Sequence, residues 1–187
     1  MPMKLQADIV HIRPLALSDA EALHRLRTEN REYHRLFEPV RPDDHFTLEF
    51  QEEQIRLSLV NAQNDTSYSF GIFLNESEHL IGRVNLSSVF RGPWQNANIG
   101  YYLDKGHTGK GYATEAVKLT VHCAFHHLKL HRVQGAVMPR NTPSIRVLEK
   151  AGFRYEGLAR NYLHIHDVWE DHNIYAITCE EQQQDLP

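Results

Sequence analysis

The chain has 187 residues, 41% hydrophobic and 24% charged, with a formal net charge of −4. That length supports one well-buried core and is short for two domains, and the balance is that of a soluble globular protein. The mild acidity offers no electrostatic grip on nucleic acid or an anionic membrane, so neither is expected as a partner.

Residues 8–15 alternate polar and apolar side chains and end at Pro14, which predicts a first strand. Ser18-x-x-Glu21 reads as a capping box for a helix carrying Ala22, Leu23 and Leu26, fading near Tyr33. Pro39 and Pro42 make 38–46 a loop, and Thr47 caps a second helix through Val60, with Phe50, Ile55, Leu57 and Leu59 as its apolar positions. Strands follow at 67–74 and 80–90 around a polar hairpin loop, then at 97–103. A helix over 109–128, a strand over 132–138 and a short helix from Thr142 or Pro143 to Ala151, stopped by Gly152, come next. Strands over 153–165 and 169–177 form a closing hairpin. The order β-α-α-β-β-β-α-β-α-β-β is mixed α/β, with one domain over 8–178 and a polar tail over 179–187. Cys123 and Cys179 make no disulfide framework and are expected as free thiols in the reducing cytoplasm. Residues 1–15 lack the apolar run of a signal peptide, and no segment has the length of a membrane span.

The densest signal is Gly109-Lys110-Gly111-Tyr112-Ala113-Thr114, at the junction of strand and helix. Two glycines let main-chain N–H groups converge there, and the helix adds its positive end, which suits phosphate oxygens. A P-loop would need Gly-x-x-x-x-Gly-Lys-Ser/Thr, but Gly111 follows Lys110 and Asp104 stands where the first glycine belongs. A dinucleotide fingerprint would need a small residue where Thr114 stands, and an opening βαβ unit. Neither fits.

The loop resembles instead the Gln/Arg-x-x-Gly-x-Gly/Ala pyrophosphate loop of the Gcn5-related N-acetyltransferase (GNAT) superfamily, with Gly111-Tyr112-Ala113 as its second half and Thr108 in place of Gln or Arg. Asn141-Thr142-Pro143-Ser144, followed by Glu149-Lys150-Ala151-Gly152-Phe153, resembles the Asn-x-x-Ser … Glu-Lys-x-Gly-Phe segment of the same superfamily. His131-Arg132-Val133, Met138-Pro139-Arg140-Asn141 and Trp169-Glu170-Asp171-His172 resemble its ribosomal-protein-alanine branch. The resemblance covers residues 8–178. It implies an α+β fold whose mostly antiparallel sheet is flanked by helices and whose fourth and fifth strands splay apart around the cosubstrate.

The resemblance also implies the site. Main-chain groups of Tyr102 and Leu103 would pair with the pantetheine of acetyl-CoA, and N–H groups from Gly109 through Lys110, Gly111, Tyr112 and Ala113 to Thr114 would hold the pyrophosphate. Thr108 supplies no long donor, and Lys110 reads equally as a solvated lysine. The N–H near Leu103 would steady the oxyanion, and Ser144 would hydrogen-bond the departing sulfur, although a first-turn serine explains it as well. Asn141 would line the same pocket. Many members of the superfamily it resembles carry Glu where this chain has Asn98, and an amide takes no proton at neutral pH. The base is then open among Glu38, Asp167, Glu170, Asp171, His164, His166 and His172, with Glu38, Asn98, Tyr162 and Trp169 as substrate-side candidates. His122 and His126 have ligand spacing on a helix but lack the zinc-protease glutamate, so no metal is expected. The implied activity is direct acetyl transfer to a primary amine, with the N-terminal alanine of a ribosomal protein as preferred acceptor. A small amine (polyamine, amino acid or antibiotic) and a silent acyl-CoA-binding module are the alternatives, in a monomer or homodimer.

Overall fold

The computed structural model describes residues 4–184. Its strands are β1 (Leu5–Gln6), β2 (Val10–Arg13), β3 (Tyr68–Leu74), β4 (Leu80–Phe90), β5 (Asn96–Leu103), β6 (Arg132–Val137), β7 (Arg154–Ile165) and β8 (Val168–Thr178). The α-helices are α1 (Ala20–Glu29), α2 (Arg31–Arg35), α3 (Leu48–Gln63), α4 (Tyr112–His122), α5 (Thr142–Lys150) and α6 (Cys179–Gln184). The strands form one sheet in the order β1-β2-β3-β4-β5-β6-β8-β7. Every neighbouring pair is antiparallel except β5 and β6, whose parallel pairing requires a crossover, supplied by α4.

That parallel pair is short. Asn96, Ala97 and Asn98 face Arg132, Val133 and Gln134, and the pairing then stops although β5 runs on to Leu103 and β6 to Val137. The mixed sheet with splayed central strands is thus as the sequence implies.

Strand alternation fixes what covers each face. Ile72, Val84, Leu86, Ala97, Ile99 and Val133 pack with Val117 and Val121 of α4 and Leu148 of α5 in the main core. Each fully buried Val, Leu or Ile among them contributes about 1.5–3 kcal/mol. A second cluster on α1 and α3 joins Leu23, Leu26 and Ile55 to Leu15, Phe73 and Leu80. Among the described residues no helix is long and apolar enough to cross a membrane.

Several local expectations need correction. The first strand is confined to Val10–Arg13, with β1 as an unforeseen extra strand too short to leave a period. The helix start belongs to Asp19 rather than Ser18. Its carboxylate accepts the Ala16 N–H at 2.8 Å and two Arg13 contacts at 2.7 and 2.9 Å, and a 3-10 turn over Leu17–Asp19 precedes α1. Asn30 interrupts the helix, because its side-chain N–H bonds back to the Leu26 carbonyl at 3.0 Å. The loop over 38–46 ends in a 3-10 turn, Asp43–Phe46.

Thr47 does cap α3, accepting the Phe50 N–H at 3.2 Å. The face of that helix differs, however: Gln51 and Ile55 are buried, while Leu57 and Leu59 are each 42% exposed. A single outer-layer helix buries one narrow stripe, and Gln51 enters it by donating to the His45 carbonyl at 2.6 Å. The long helix starts at Tyr112, not Gly109, and closes in a π-helical turn over Cys123–His127, with Leu128 N–H bonded to the Cys123 carbonyl at 3.0 Å. The widened turn carries Leu128 and Leu130 into the core. The predicted polar tail forms α6 over its first part, and residues 185–187 lie outside the described residues.

Candidate active site

Where β5 and β6 part, a cavity of 160 Å³ opens. Its walls are residues 99–101 of β5, 135–138 beyond and along β6, and Asn141, Ser144 and Leu148 at α5, with Phe37 and His172 closing it. Polar main chain lines it because the two strands have no partner for each other there.

Ladder parity decides which main-chain groups face the gap. Asp104 N–H donates to the Ile81 carbonyl at 2.8 Å, so the alternation of antiparallel bonds turns Tyr102 toward Arg83 of β4. Tyr101 and Leu103 therefore direct their N–H and C=O groups toward β6. Of the expected pantetheine partners, Tyr102 faces β4, and Leu103 turns away from β4 with its carbonyl accepting the His34 Nε2–H at 2.7 Å.

The glycine-rich loop sits at the open end of β5. Gly109 and Gly111 have φ of +76° and +86°, the left-handed region that glycine enters without strain, and Gly111 is the N-cap of α4. The first intrahelical bond runs from Glu115 N–H to the Gly111 carbonyl at 3.1 Å. The N–H groups of Tyr112, Ala113 and Thr114 consequently have no acceptor within the helix. Glu115 does not fill that end, since its carboxylate accepts the N–H groups of Ile9 and Val10 at 3.0 and 3.2 Å. Thr108 Oγ1 and Lys110 Nζ instead cap the preceding turn, donating to the carbonyls of Lys105 and Gly106 at 2.9 and 3.2 Å. This cradle fits a pyrophosphate by donor chemistry.

Ser144 stands in the first turn of α5. The Asn141 side chain accepts its N–H at 3.2 Å as the helix cap, which accounts for an asparagine there. The Tyr101 hydroxyl lies 2.8 Å from Ser144 Oγ and 3.1 Å from its carbonyl oxygen. Only the phenol can donate to that carbonyl, so in this arrangement Ser144 Oγ–H points to the phenol oxygen. Burial pushes the Tyr101 phenol well above its ordinary range and keeps it protonated.

Behind the cleft a buried guanidinium organises the neighbouring loop. Arg27, 3% exposed, donates to Glu38 at 2.7 Å and to His34 Nδ1 at 3.1 Å, lies 3.4 Å from His45 Nε2, and stacks 4.7 Å from the Tyr102 ring. Because arginine only donates, His34 Nδ1 accepts. Its Nε2–H then donates to the Leu103 carbonyl at 2.7 Å. Glu38 is held by Arg27, and whatever it does for a substrate it does as part of this network. Arg27 was legible only as a charge at i+4 from Leu23 on an apolar helix stripe, and nothing in the sequence pairs it with His34.

Burial first, then the Arg27 charge, lowers both imidazoles, His45 to about 4 and His34 in the same direction, with the Leu103 bond opposing the fall in His34. Both rings are neutral when folded and charge near pH 6.5 when unfolded. Their stabilisation is therefore complete above about pH 6.5 and is lost as pH falls toward 4. The urea midpoint should drop across that window, and His45→Gln should flatten the drop. An unchanged slope in that variant would remove His45 from the account.

The remaining candidates divide. Asn98 occupies the last rung before the strands part, opposite Ser87 and Gln134, with its side chain half-buried. Glu170 is taken by Arg140 in a two-point pair at 2.6 and 2.8 Å, and Asp171 accepts the Asn161 N–H at 2.8 Å. His166 and Asp167 form the left-handed turn of the β7–β8 hairpin, and His166 Nε2 donates to the Arg35 carbonyl at 2.6 Å. Trp169 is 59% exposed beside His164, outside the cavity lining. His172 alone of the proposed hydrogen-accepting side chains lines the cavity. Its Nδ1–H donates to the Glu170 carbonyl at 3.1 Å, which makes Nε2 the ring nitrogen that can face a substrate, and Tyr162 packs against it at 5.4 Å.

Residues 10–154 match the acetyltransferase (GNAT) domain family. A probable N-acetyltransferase of Bacillus subtilis, YjcK, is 47% identical over 180 residues, 96% of this chain and 99% of that protein. The [ribosomal protein uS5]-alanine N-acetyltransferase of Escherichia coli is 31% identical over 94% of this chain and 91% of its own. Among solved structures, the ribosomal-protein-S5-alanine acetyltransferase of Vibrio fischeri superposes with a TM-score of 0.89 at 30% identity, covering 94% of this chain and 96% of that one. Mycobacterium smegmatis RimJ in complex with CoA-disulfide superposes at 0.88 with 31% identity, covering 97% and 87%.

Proposed function

The chain belongs to the GNAT acetyltransferase family, and from that membership we propose that it moves the acetyl group of acetyl-CoA to the N-terminal amine of a protein, with an alanine-headed ribosomal protein as acceptor. The observation that carries the reading is the gap between β5 and β6, with Ser144 at its edge and the N-terminal N–H groups of α4, without acceptors inside the helix, beyond its open end. Acetyl-CoA supplies an activated thioester. The chain supplies everything else: Leu103 N–H steadies charge on the carbonyl oxygen, and Ser144 Oγ–H serves the departing sulfur. Tyr101, at 2.8 Å, turns its hydroxyl hydrogen onto Ser144 Oγ as the serine turns its own hydrogen toward the sulfur, so the serine keeps its proton and acts as a hydrogen-bond donor.

With an amide at Asn98, which takes no proton at neutral pH, proton removal falls to His172 Nε2, directly or through water. The demand is modest for an α-amine, whose reference pKa is about 7.7–8.0, against about 10.4 for lysine. Missing carboxylate and acceptor preference thus agree. The relatives acting on ribosomal-protein alanine match along nearly the whole chain, which supports a protein terminus over a small amine.

The test is CoA release from acetyl-CoA against peptides beginning with Ala, Ser or Met, polyamines and aminoglycosides. Ala-headed peptides should turn over fastest. A lysine side chain acetylated faster than a matched N-terminal amine would overturn the acceptor, and turnover confined to small amines would replace it.

A further inference from the structure

We propose that His131, Cys179 and Glu180 form a binding site for a divalent cation of the zinc class, at the end of the sheet opposite the acetyl-transfer cleft. One ligand atom from each of the three lies within 4.8 Å of the others. His131 Nε2 is 3.1 and 3.0 Å from the two Glu180 carboxylate oxygens. Tetrahedral zinc with bonds of about 2.0–2.2 Å to nitrogen and oxygen separates such ligand atoms by roughly 3.3 Å, so the pair needs little movement.

The main chain, not side-chain chance, brings the ligands together. Arg132 pairs with Thr178 across β6 and β8, and one step further along that register His131 faces Cys179, with Cys179 N–H bonded to the His131 carbonyl at 3.0 Å. His131 N–H is in turn fixed to the Gln95 carbonyl at 2.8 Å. Directly opposed residues on antiparallel strands hold their Cβ atoms about 4.5–5.5 Å apart, within reach of one ion. Glu180 then follows Cys179 in the first turn of α6.

Thiolate, imidazole and carboxylate together select a borderline-soft ion over magnesium or calcium. Cys179 and Glu180 supply two negative charges, which balance a dication. As the sulfur–metal bond forms, the Cys179 thiol releases its proton to water. His131 shifts its hydrogen from Nε2 to Nδ1, and one Glu180 oxygen replaces its hydrogen bond by a metal bond. His131 and Glu180 side chains are 50% and 63% exposed, which leaves the remaining coordination position to water. The site clips α6 to the start of β6, whereas the cleft lies at the other end of that strand, about 20 Å away by strand rise.

The decisive experiment is a cobalt(II) titration of the tag-free full chain. It should give a thiolate-to-cobalt absorption band saturating at one equivalent and displaced by zinc(II). Cys179→Ser should abolish the band, and His131→Gln and Glu180→Gln should each weaken binding by about tenfold or more. The paired change His122→Gln/His126→Gln should leave it intact. No thiolate band, a band that survives Cys179→Ser, or loss of binding with His122 and His126 would overturn the site. The first of these would leave His131 and Glu180 as a surface ion pair.

Discussion

Arg27→Met is expected to destabilise the protein by about 3–5 kcal/mol, the cost of removing one partner from a buried ion pair. The guanidinium is 3% exposed and is donor at once to Glu38 and His34, with His45 alongside. Methionine fills similar length and leaves a carboxylate and a ring nitrogen without their donor. The measurement is the urea midpoint at pH 7.5, where both histidines are neutral in either state. Arg27→Met/Glu38→Gln should recover part of the loss, because a neutral amide tolerates the site better than an unpaired carboxylate. A loss under about 1 kcal/mol would be that of a solvated surface pair and would contradict the burial of this network. The same variant releases His34 from one side, and with it the hydrogen bond that pins the Leu103 carbonyl beside the cleft.

Ser144→Ala should lower kcat for acetyl transfer about 100-fold or more, the usual scale for a positioned acid, with KM for acetyl-CoA little changed. Tyr101→Phe should cost less, about tenfold, because Ser144 keeps its hydroxyl and loses only the 2.8 Å partner that directs it. The double variant should be no slower than Ser144→Ala alone, since the phenol acts through the serine. A thioester with a more acidic leaving thiol should depend less on Ser144, as sulfur then needs less help. Full activity in Ser144→Ala would return that residue to the role of a first-turn serine. Additive losses would make Tyr101 an independent contributor.

The sequence carried the motifs whose chemistry is local. The glycine loop, the Thr47 cap and the long alternating strands are written in contiguous residues, and the helices and strands they mark lie close to their predicted places. What stayed hidden depends on partners far apart in the chain. Arg27 meets Glu38 and His34 only after α1 and α2 fold back, and Tyr101 meets Ser144 across 43 positions. The direction of the Tyr102 main chain was hidden too, because it follows ladder parity, and parity is set by the Asp104–Ile81 bond. The Ser18 capping box failed for a related reason: Asp19 reaches Arg13 on the neighbouring strand, and that tertiary pair outcompetes a local motif. His131 and Cys179 likewise share nothing in sequence and become neighbours through the β6–β8 register.

The three-rung junction between β5 and β6 has a mechanical side. It joins two half-sheets, β1 to β5 and β6 to β8, through a seam of hydrogen bonds much shorter than either strand, over one core that spans both halves. A molecule lying in the slot bridges the halves where hydrogen bonds between them run out, and so completes the sheet as a ninth, non-peptide member. Folding and occupancy are then linked: at a ligand concentration 100 times Kd the joined form gains about 2.7 kcal/mol. A ligand in that slot thereby adds to the hold that the shared core already gives the two halves.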